Sequence, residues 1–147
     1  MAEDIITRKI ILLVDDDEMH LEITKLALKD DYDIYMVRSG KEALNFLTKG
    51  ETVPDLILLD IIMPDMDGWV VFDKIHDIAS LKFIPIIFYT SLEDESAKDK
   101  AYKIGVFDYI IKPCDRADLL SRIGIALQKT GVEKWHYELY NEAEKVS

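Results

Sequence analysis

Five short runs, almost without polar residues, set the tightest limit on what this chain can fold into. They are Ile10–Val14, Ile34–Val37, Leu56–Leu59, Ile84–Tyr89 and Phe107–Ile111, and β-branched residues are frequent in them. A strand with one wet face alternates apolar and polar residues. A run that is apolar throughout needs cover on both faces, as in a parallel sheet with helices on either side. Segments with helical spacing separate the runs. Met19, Ile23, Leu26 and Ala27 form one apolar stripe, Val71, Phe72 and Ile75 belong to another, and Leu119, Leu120, Ile123 and Leu127 form a third. Ser39 followed by Glu42 reads as a capping box, Gly105 as a helix stop and Asp115 as the N-cap of the last long helix. The alternation makes five βα units. Right-handed crossovers turn such units into a doubly wound α/β sheet with helices on both faces.

Bulk properties narrow the setting. A chain of 147 residues, 49% hydrophobic and 32% charged, suits one globular domain rather than a disordered segment. Its net charge of -11 argues against direct contact with nucleic acid, whose phosphates call for a basic face. A single cysteine, Cys114, allows no internal disulfide and suits a reducing compartment. Met1–Lys9 lacks the apolar core of a signal peptide, and no stretch reaches the length of a transmembrane helix. The expectation is a cytoplasmic domain without membrane contact.

In an open α/β sheet, ligands sit outside the carboxyl ends of the strands. The residues after the apolar runs are therefore the informative ones. Asp15, Asp16 and Asp17 follow the first run, Asp60 the third, Thr90 and Ser91 the fourth, and Lys112 and Pro113 the fifth. The second run ends in Arg38-Ser39-Gly40, a turn and cap, which places that strand at an edge away from the site. Converging carboxylates repel one another, and a hard cation such as Mg²⁺ relieves the repulsion while keeping sites for water and phosphate oxygens. One carboxylate can act as a nucleophile and form an acyl phosphate, with a lysine and a threonine hydroxyl on the phosphoryl oxygens. Each position also has an ordinary reading. Asp15 to Asp17 could be a solvated turn, Asp60 could open a turn with Pro64, Asp65 and Gly68, Thr90 could cap a helix, and Lys112 could be solvated. Chance placement of all four at strand ends, in this order, is much less probable than any one alone.

Four segments carry a family resemblance. Ile11-Leu12-Leu13-Val14-Asp15-Asp16-Asp17 resembles the first strand and acidic pair of response-regulator receiver domains. The segment Asp55-Leu56-Ile57-Leu58-Leu59-Asp60-Ile61-Ile62-Met63-Pro64-Asp65-Met66-Asp67-Gly68 resembles the surroundings of their phosphoacceptor. Tyr89-Thr90-Ser91 and Asp108-Tyr109-Ile110-Ile111-Lys112-Pro113 resemble the remaining two signatures. The likeness covers about residues 8–128, leaving 129–147 as a C-terminal extension of helical spacing. It implies a flavodoxin-like strand order of 2-1-3-4-5 and a phosphorylation switch rather than an enzyme acting on an outside substrate. Asp60 is then the phosphoacceptor, with Asp15, Asp16, Asp60 and the backbone carbonyl of Ile62 around Mg²⁺ (or Mn²⁺). Asp15 would hold the ion through water. Thr90 and Lys112 grip the phosphoryl group, Lys112-Pro113 carries a cis peptide bond that aims the lysine inward, and Tyr109 turns inward as Thr90 moves. The implied donor is a sensor histidine kinase or a histidine phosphotransfer protein. The implied output surface is the fourth helix, fifth strand and fifth helix, where Lys98, Asp108, Asp118 and Arg122 could pair across a homodimer.

Some positions depart from the family pattern. Ile62 and Leu92 are apolar where the family flanks the path of attacking water, so slow self-dephosphorylation is expected. Cys114 replaces a common aromatic, with packing consequences only. His20, His76 and His136 have no metal-ligand spacing and read as surface residues. A phosphatase of the haloacid dehalogenase type would need an aspartate at position 62. A nucleotide-binding domain would need a Gly-rich first turn, and a flavodoxin-like cofactor domain a phosphate-cradling Ser/Thr/Gly loop; neither is present. A degenerate receiver that is not phosphorylated is the remaining alternative. In the extension, Val132, Trp135 and Leu139 are spaced for one helical face, suiting a helix folded back, a partner surface or a linker.

Overall fold

The computed structural model describes residues 7–129. Its five strands are β1 (Ile10–Val14), β2 (Asp33–Val37), β3 (Leu56–Leu59), β4 (Ile86–Thr90) and β5 (Asp108–Ile111). They pair in parallel in the order β2-β1-β3-β4-β5, the flavodoxin-like order, with β2 at an edge. Five helices alternate with them: α1 (Glu18–Leu28), α2 (Gly40–Lys49), α3 (Gly68–His76), α4 (Glu95–Ile104) and α5 (Arg116–Gln128).

Successive strand residues face opposite sides, so two cores form. On one side Leu12, Leu59 and Phe88 meet Leu47 of α2, Phe72 and Ile75 of α3 and Tyr102 of α4. On the other, Leu13, Leu58 and Ile110 meet Leu21 and Leu28 of α1 and Leu119 and Ile123 of α5. This double cover is why the runs lack alternation.

Each helix opens on a side-chain cap. Asp17, Ser39, Asp67, Asp94 and Asp115 accept from backbone N–H groups of the first turns of α1 to α5. The Ser39–Glu42 box is skewed: Glu42 N–H donates to Ser39 Oγ at 3.0 Å, but Glu42 Oε1 accepts from the N–H of Arg38, at 3.5 Å, one residue before the cap. Gly105 closes α4 at φ 112°, a left-handed conformation that favours glycine.

The structure departs from the sequence reading in three places. β4 begins at Ile86, because Ile84 N–H turns back to Leu81 O and Pro85 has no N–H to offer. Most of the apolar stripe on α1 points outward, although its Ala27 packs partly buried against the core. Met19, Ile23 and Leu26 are exposed, while Leu21, Thr24 and Leu28 face the sheet. Both sets have helical spacing, and spacing alone does not choose between two apolar faces. His76 is half-buried, stacked on Phe72 at 4.2 Å, rather than free on the surface.

Candidate functional site at the carboxyl edge of the sheet

Strand register brings the polar residues together. Val14 lies opposite Leu59, Leu59 opposite Phe88, and Thr90 opposite Ile111. The backbone ladder continues one step past the strands, with Asp60 N–H donating to Val14 O at 2.9 Å and Lys112 N–H to Thr90 O at 2.8 Å. Asp15, Asp60 and Thr90 are buried polar residues at this edge. One carboxylate oxygen each from Asp15, Asp16 and Asp60 lies within 4.8 Å of the others. The third aspartate of that run leaves the cluster, because Asp17 Oδ1 accepts from the N–H groups of Met19 and His20 as the cap of α1.

Lys112 completes the cluster. Its Nζ donates to Asp15 Oδ2 and to Asp60 Oδ2, the latter at 3.3 Å, with only 10% of its side chain exposed. The Lys112–Pro113 peptide bond is cis. Burial pushes the Asp60 carboxyl above its ordinary value, and the Asp15 charge adds to that, while the Lys112 ammonium and the Thr90 hydroxyl oppose it. One ammonium is thus shared by two carboxylates of a cluster of three, leaving the cluster short of positive charge. An all-oxygen, all-carboxylate donor set is the chemistry that a hard divalent ion takes.

Two features tie the site to the rest of the domain. Leu92 N–H donates to Thr90 Oγ1 at 3.3 Å, and Leu92 O accepts from the Tyr109 hydroxyl at 2.7 Å. The buried Tyr109 ring stands edge-on to Phe88. Ile62 is 56% exposed beside Asp60, and its N–H donates to Asp60 Oδ1 at 3.3 Å.

Two residues at the site were not singled out from sequence. His20 Nδ1 lies 3.8 Å from Asp15 Oδ2 and 3.7 Å from Asp17 Oδ2, so it stands at the mouth of the cluster. Its place in the first turn of a helix that starts at the site was the available signal. Gly68, read only as a turn residue, packs the start of α3 against the end of β3. A Cβ there would lie 2.4 Å from the Asp60 carbonyl oxygen.

Together, the fold and this edge define a doubly wound α/β domain with an acidic cluster where its central strands end. The profile of the response regulator receiver domain matches residues 11–124, and the chain belongs to that family. It is 34% identical over 128 residues to a probable cyclic di-GMP phosphodiesterase of Vibrio cholerae, covering 87% of this chain and 29% of that protein. It is 32% identical over 114 residues to response regulator PleD of Caulobacter vibrioides, covering 77% of this chain and 25% of that one. The chain therefore spans a minor part of these relatives, and the activity named for the Vibrio protein is said of a much longer chain. Among solved structures, the receiver domain of a signal transduction histidine kinase from Syntrophus aciditrophicus superposes with a TM-score of 0.74 at 35% identity, covering 84% of this chain and 92% of that one. The Mn²⁺-bound form of response regulator Rcp1 superposes at 0.69 with 31% identity, covering 80% and 91%. Among the described residues, no helix is long and apolar enough to cross a membrane.

Proposed function

We propose that Asp60 accepts a phosphoryl group in a Mg²⁺-dependent reaction and that the change is read out through Thr90 and Tyr109. The observation that carries this reading is the sharing of one ammonium, Lys112 Nζ, between Asp15 and Asp60 in a cluster of three carboxylates. Such a cluster is under-neutralised until a second cation joins it. Asp15, Asp16, Asp60 and the backbone carbonyl of Ile62 would hold Mg²⁺ or Mn²⁺, with Asp15 acting through water; the Mn²⁺-bound Rcp1 structure supports the choice of ion. Bound there, the ion neutralises charge on the transferring phosphoryl group and orients it.

The chain's own residues supply the rest. An Asp60 carboxylate oxygen attacks phosphorus in the donor's phosphohistidine. The P–N bond breaks, the imidazole leaves, and an acyl phosphate forms. Lys112 passes from Asp60 to a phosphoryl oxygen, and the Thr90 hydroxyl binds another. For Thr90 this turns the hydroxyl proton away from Asp60, while its oxygen accepts from Leu92 N–H, and Leu92 O is where the Tyr109 hydroxyl is anchored. Phosphorylation thereby biases the β4–α4 loop through contacts that exist in only one state. The donor is a sensor histidine kinase or histidine phosphotransfer protein in the cytoplasm. The output surface is α4, β5 and α5. There Arg122 lies 3.6 Å from both Asp108 and Asp118, so a homodimer through that face exchanges internal pairs for cross-subunit ones.

Treatment with acetyl phosphate and Mg²⁺ tests the assignment. The full chain should gain one phosphoryl group by intact mass, and Asp60→Ala should gain none. Equal modification of both would remove Asp60 from its role. Ile62 and Leu92 present apolar side chains to the path of hydrolytic water, so the phosphorylated chain should persist for minutes or longer. A lifetime of seconds would overturn that part. Sizing the chain with and without BeF₃⁻ tests the homodimer.

A further inference from the structure

Helix α4 has a small apolar footing. Only Ala97, Ala101 and Tyr102 are buried on it, and two of these end at a methyl group. The position of an element with so little buried apolar surface is decided by few interactions. Two side chains fasten α4 to its neighbours. Tyr102 donates its hydroxyl to Asp108 of β5 at 2.9 Å. Toward α3, Lys100 sets its ammonium 4.2 Å from the ring centre of Trp69. The chain has two tryptophans. Trp135 falls, with the helical spacing read there, in residues 130–147, outside the described residues. Trp69 is half-buried and packs on the layer that holds Leu12, Leu59 and Phe88. Its ring stands edge-on to Phe88 at 5.0 Å, and Phe88 stands edge-on to Tyr109 at 6.2 Å. Gly68, the residue before it, donates its N–H to Ile61 O at 2.8 Å and lies against Asp60 O. Trp69 is therefore held to the sheet and to the backbone of Asp60. Lys100 is held to α4, and α4 follows the loop in which Leu92 binds both Thr90 and Tyr109. A shift of Thr90 toward a phosphoryl group moves that loop and α4, while Trp69 stays with Phe88 and Asp60. The contact between Lys100 and Trp69 spans the two parts.

We propose that the Lys100 ammonium on the Trp69 ring is a clasp that holds α4 in its resting place, and that phosphorylation of Asp60 opens it. The inference rests on the phosphoacceptor reading above and adds to it a contact that the switch has to break. The clasp coexists with Lys112 and the Thr90 hydroxyl on Asp60, the two contacts that a phosphoryl group would take over. A contact made in one state alone biases the equilibrium toward that state by its own strength. Lys100 is exposed, and a cation over an aromatic face at an exposed site shifts an equilibrium by about twofold to fivefold. That size suits a switch. It lowers the population of the shifted state, and a phosphoryl group on Asp60 can still overcome it.

Calorimetric titration of the full chain with BeF₃⁻ at saturating Mg²⁺ tests the proposal. Lys100→Met keeps the apolar stem and removes the charge. Its dissociation constant for BeF₃⁻ should fall about twofold to fivefold, because less of the binding free energy goes into opening the clasp. Lys100→Arg keeps a cation for the ring and should bind as the wild type does. Lys82→Met removes an ammonium 5.3 Å from the Phe83 ring, in the turn before β4, and should leave the affinity unchanged. Unchanged or weaker affinity in Lys100→Met would overturn the clasp. So would an equal gain in Lys82→Met, which would trace the effect to net charge. A wild type that binds no BeF₃⁻, or an Asp60→Ala that binds it equally well, would bring down the phosphoacceptor reading itself, and the clasp with it.

Discussion

Burial makes some single side chains more consequential than their charge suggests. Tyr102, 5% exposed, donates its hydroxyl to Asp108 Oδ1 at 2.9 Å, and the same oxygen accepts from Tyr109 N–H at 2.8 Å. Burial and the Asp108 carboxylate push the Tyr102 phenol far above its ordinary value. The folded chain therefore keeps this proton at pH values where the unfolded chain has begun to release it. The resulting stability is complete below about pH 10 and is lost as the pH rises beyond it. Tyr102→Phe should cost about 1–2 kcal/mol near neutrality, because Asp108 loses one donor and keeps the others. Urea unfolding at about pH 8 and about pH 11 checks both parts: the gap between wild type and variant should narrow at the higher pH. A gap that widens would place the phenol in the opposite direction.

Between elements, the deciding contacts are backbone ones. Gly68 lets the first turn of α3 lie against Asp60 O and Ile61 Cα, at 2.4 and 2.8 Å from where a Cβ would sit. Neither atom can rotate away. Gly68→Ala should cost about 1–3 kcal/mol by overpacking and should weaken Mg²⁺ binding by displacing the Asp60 backbone. Gly124, inside α5, has nothing within 4 Å of its would-be Cβ, and Gly124→Ala should stabilise by about 0.5–1 kcal/mol. Thermal unfolding of the two variants should move in opposite directions; a stabilised Gly68→Ala would refute the close approach.

The same contrast explains what the sequence disclosed. Strand existence and the caps at Ser39 and Asp115 were legible because each rests on local chemistry, doubly covered apolar runs and Ser or Asp at N-caps, as was the left-handed glycine stop at Gly105; the strand order was legible only through the family resemblance. The convergence of Asp15, Asp16, Asp60, Thr90 and Lys112 at one edge was legible too, since parallel strands with helical crossovers align their carboxyl ends. The rotation of α1 was not, because it depends on which of two apolar faces fills the layer beside α5. Nor was the tightness at Gly68, which is a property of two elements rather than of one residue.

Across the whole molecule, an excess of acid meets a site that concentrates it. The chain carries a net charge of -11, yet three carboxylate oxygens at one strand edge lie within 4.8 Å of one another. Dissolved monovalent salt screens over about 10 Å at 0.1 M and does little at that range. Mg²⁺ bound in the proposed site would act on folding by mass action, adding about 2.7 kcal/mol at a hundred times its dissociation constant. For a domain of this size that is a rise in Tm of about 5–10 °C. NaCl matched in ionic strength should give much less. Asp16→Asn removes one of the crowded charges and one proposed ligand at once. Its metal-free form should therefore melt at or above the wild type, while its response to Mg²⁺ falls to that seen with NaCl. Differential scanning calorimetry of both proteins with EDTA, NaCl and MgCl₂ separates the contributions. An undiminished Mg²⁺ response in Asp16→Asn would mean that the ion stabilises the fold from some other place on this acidic surface.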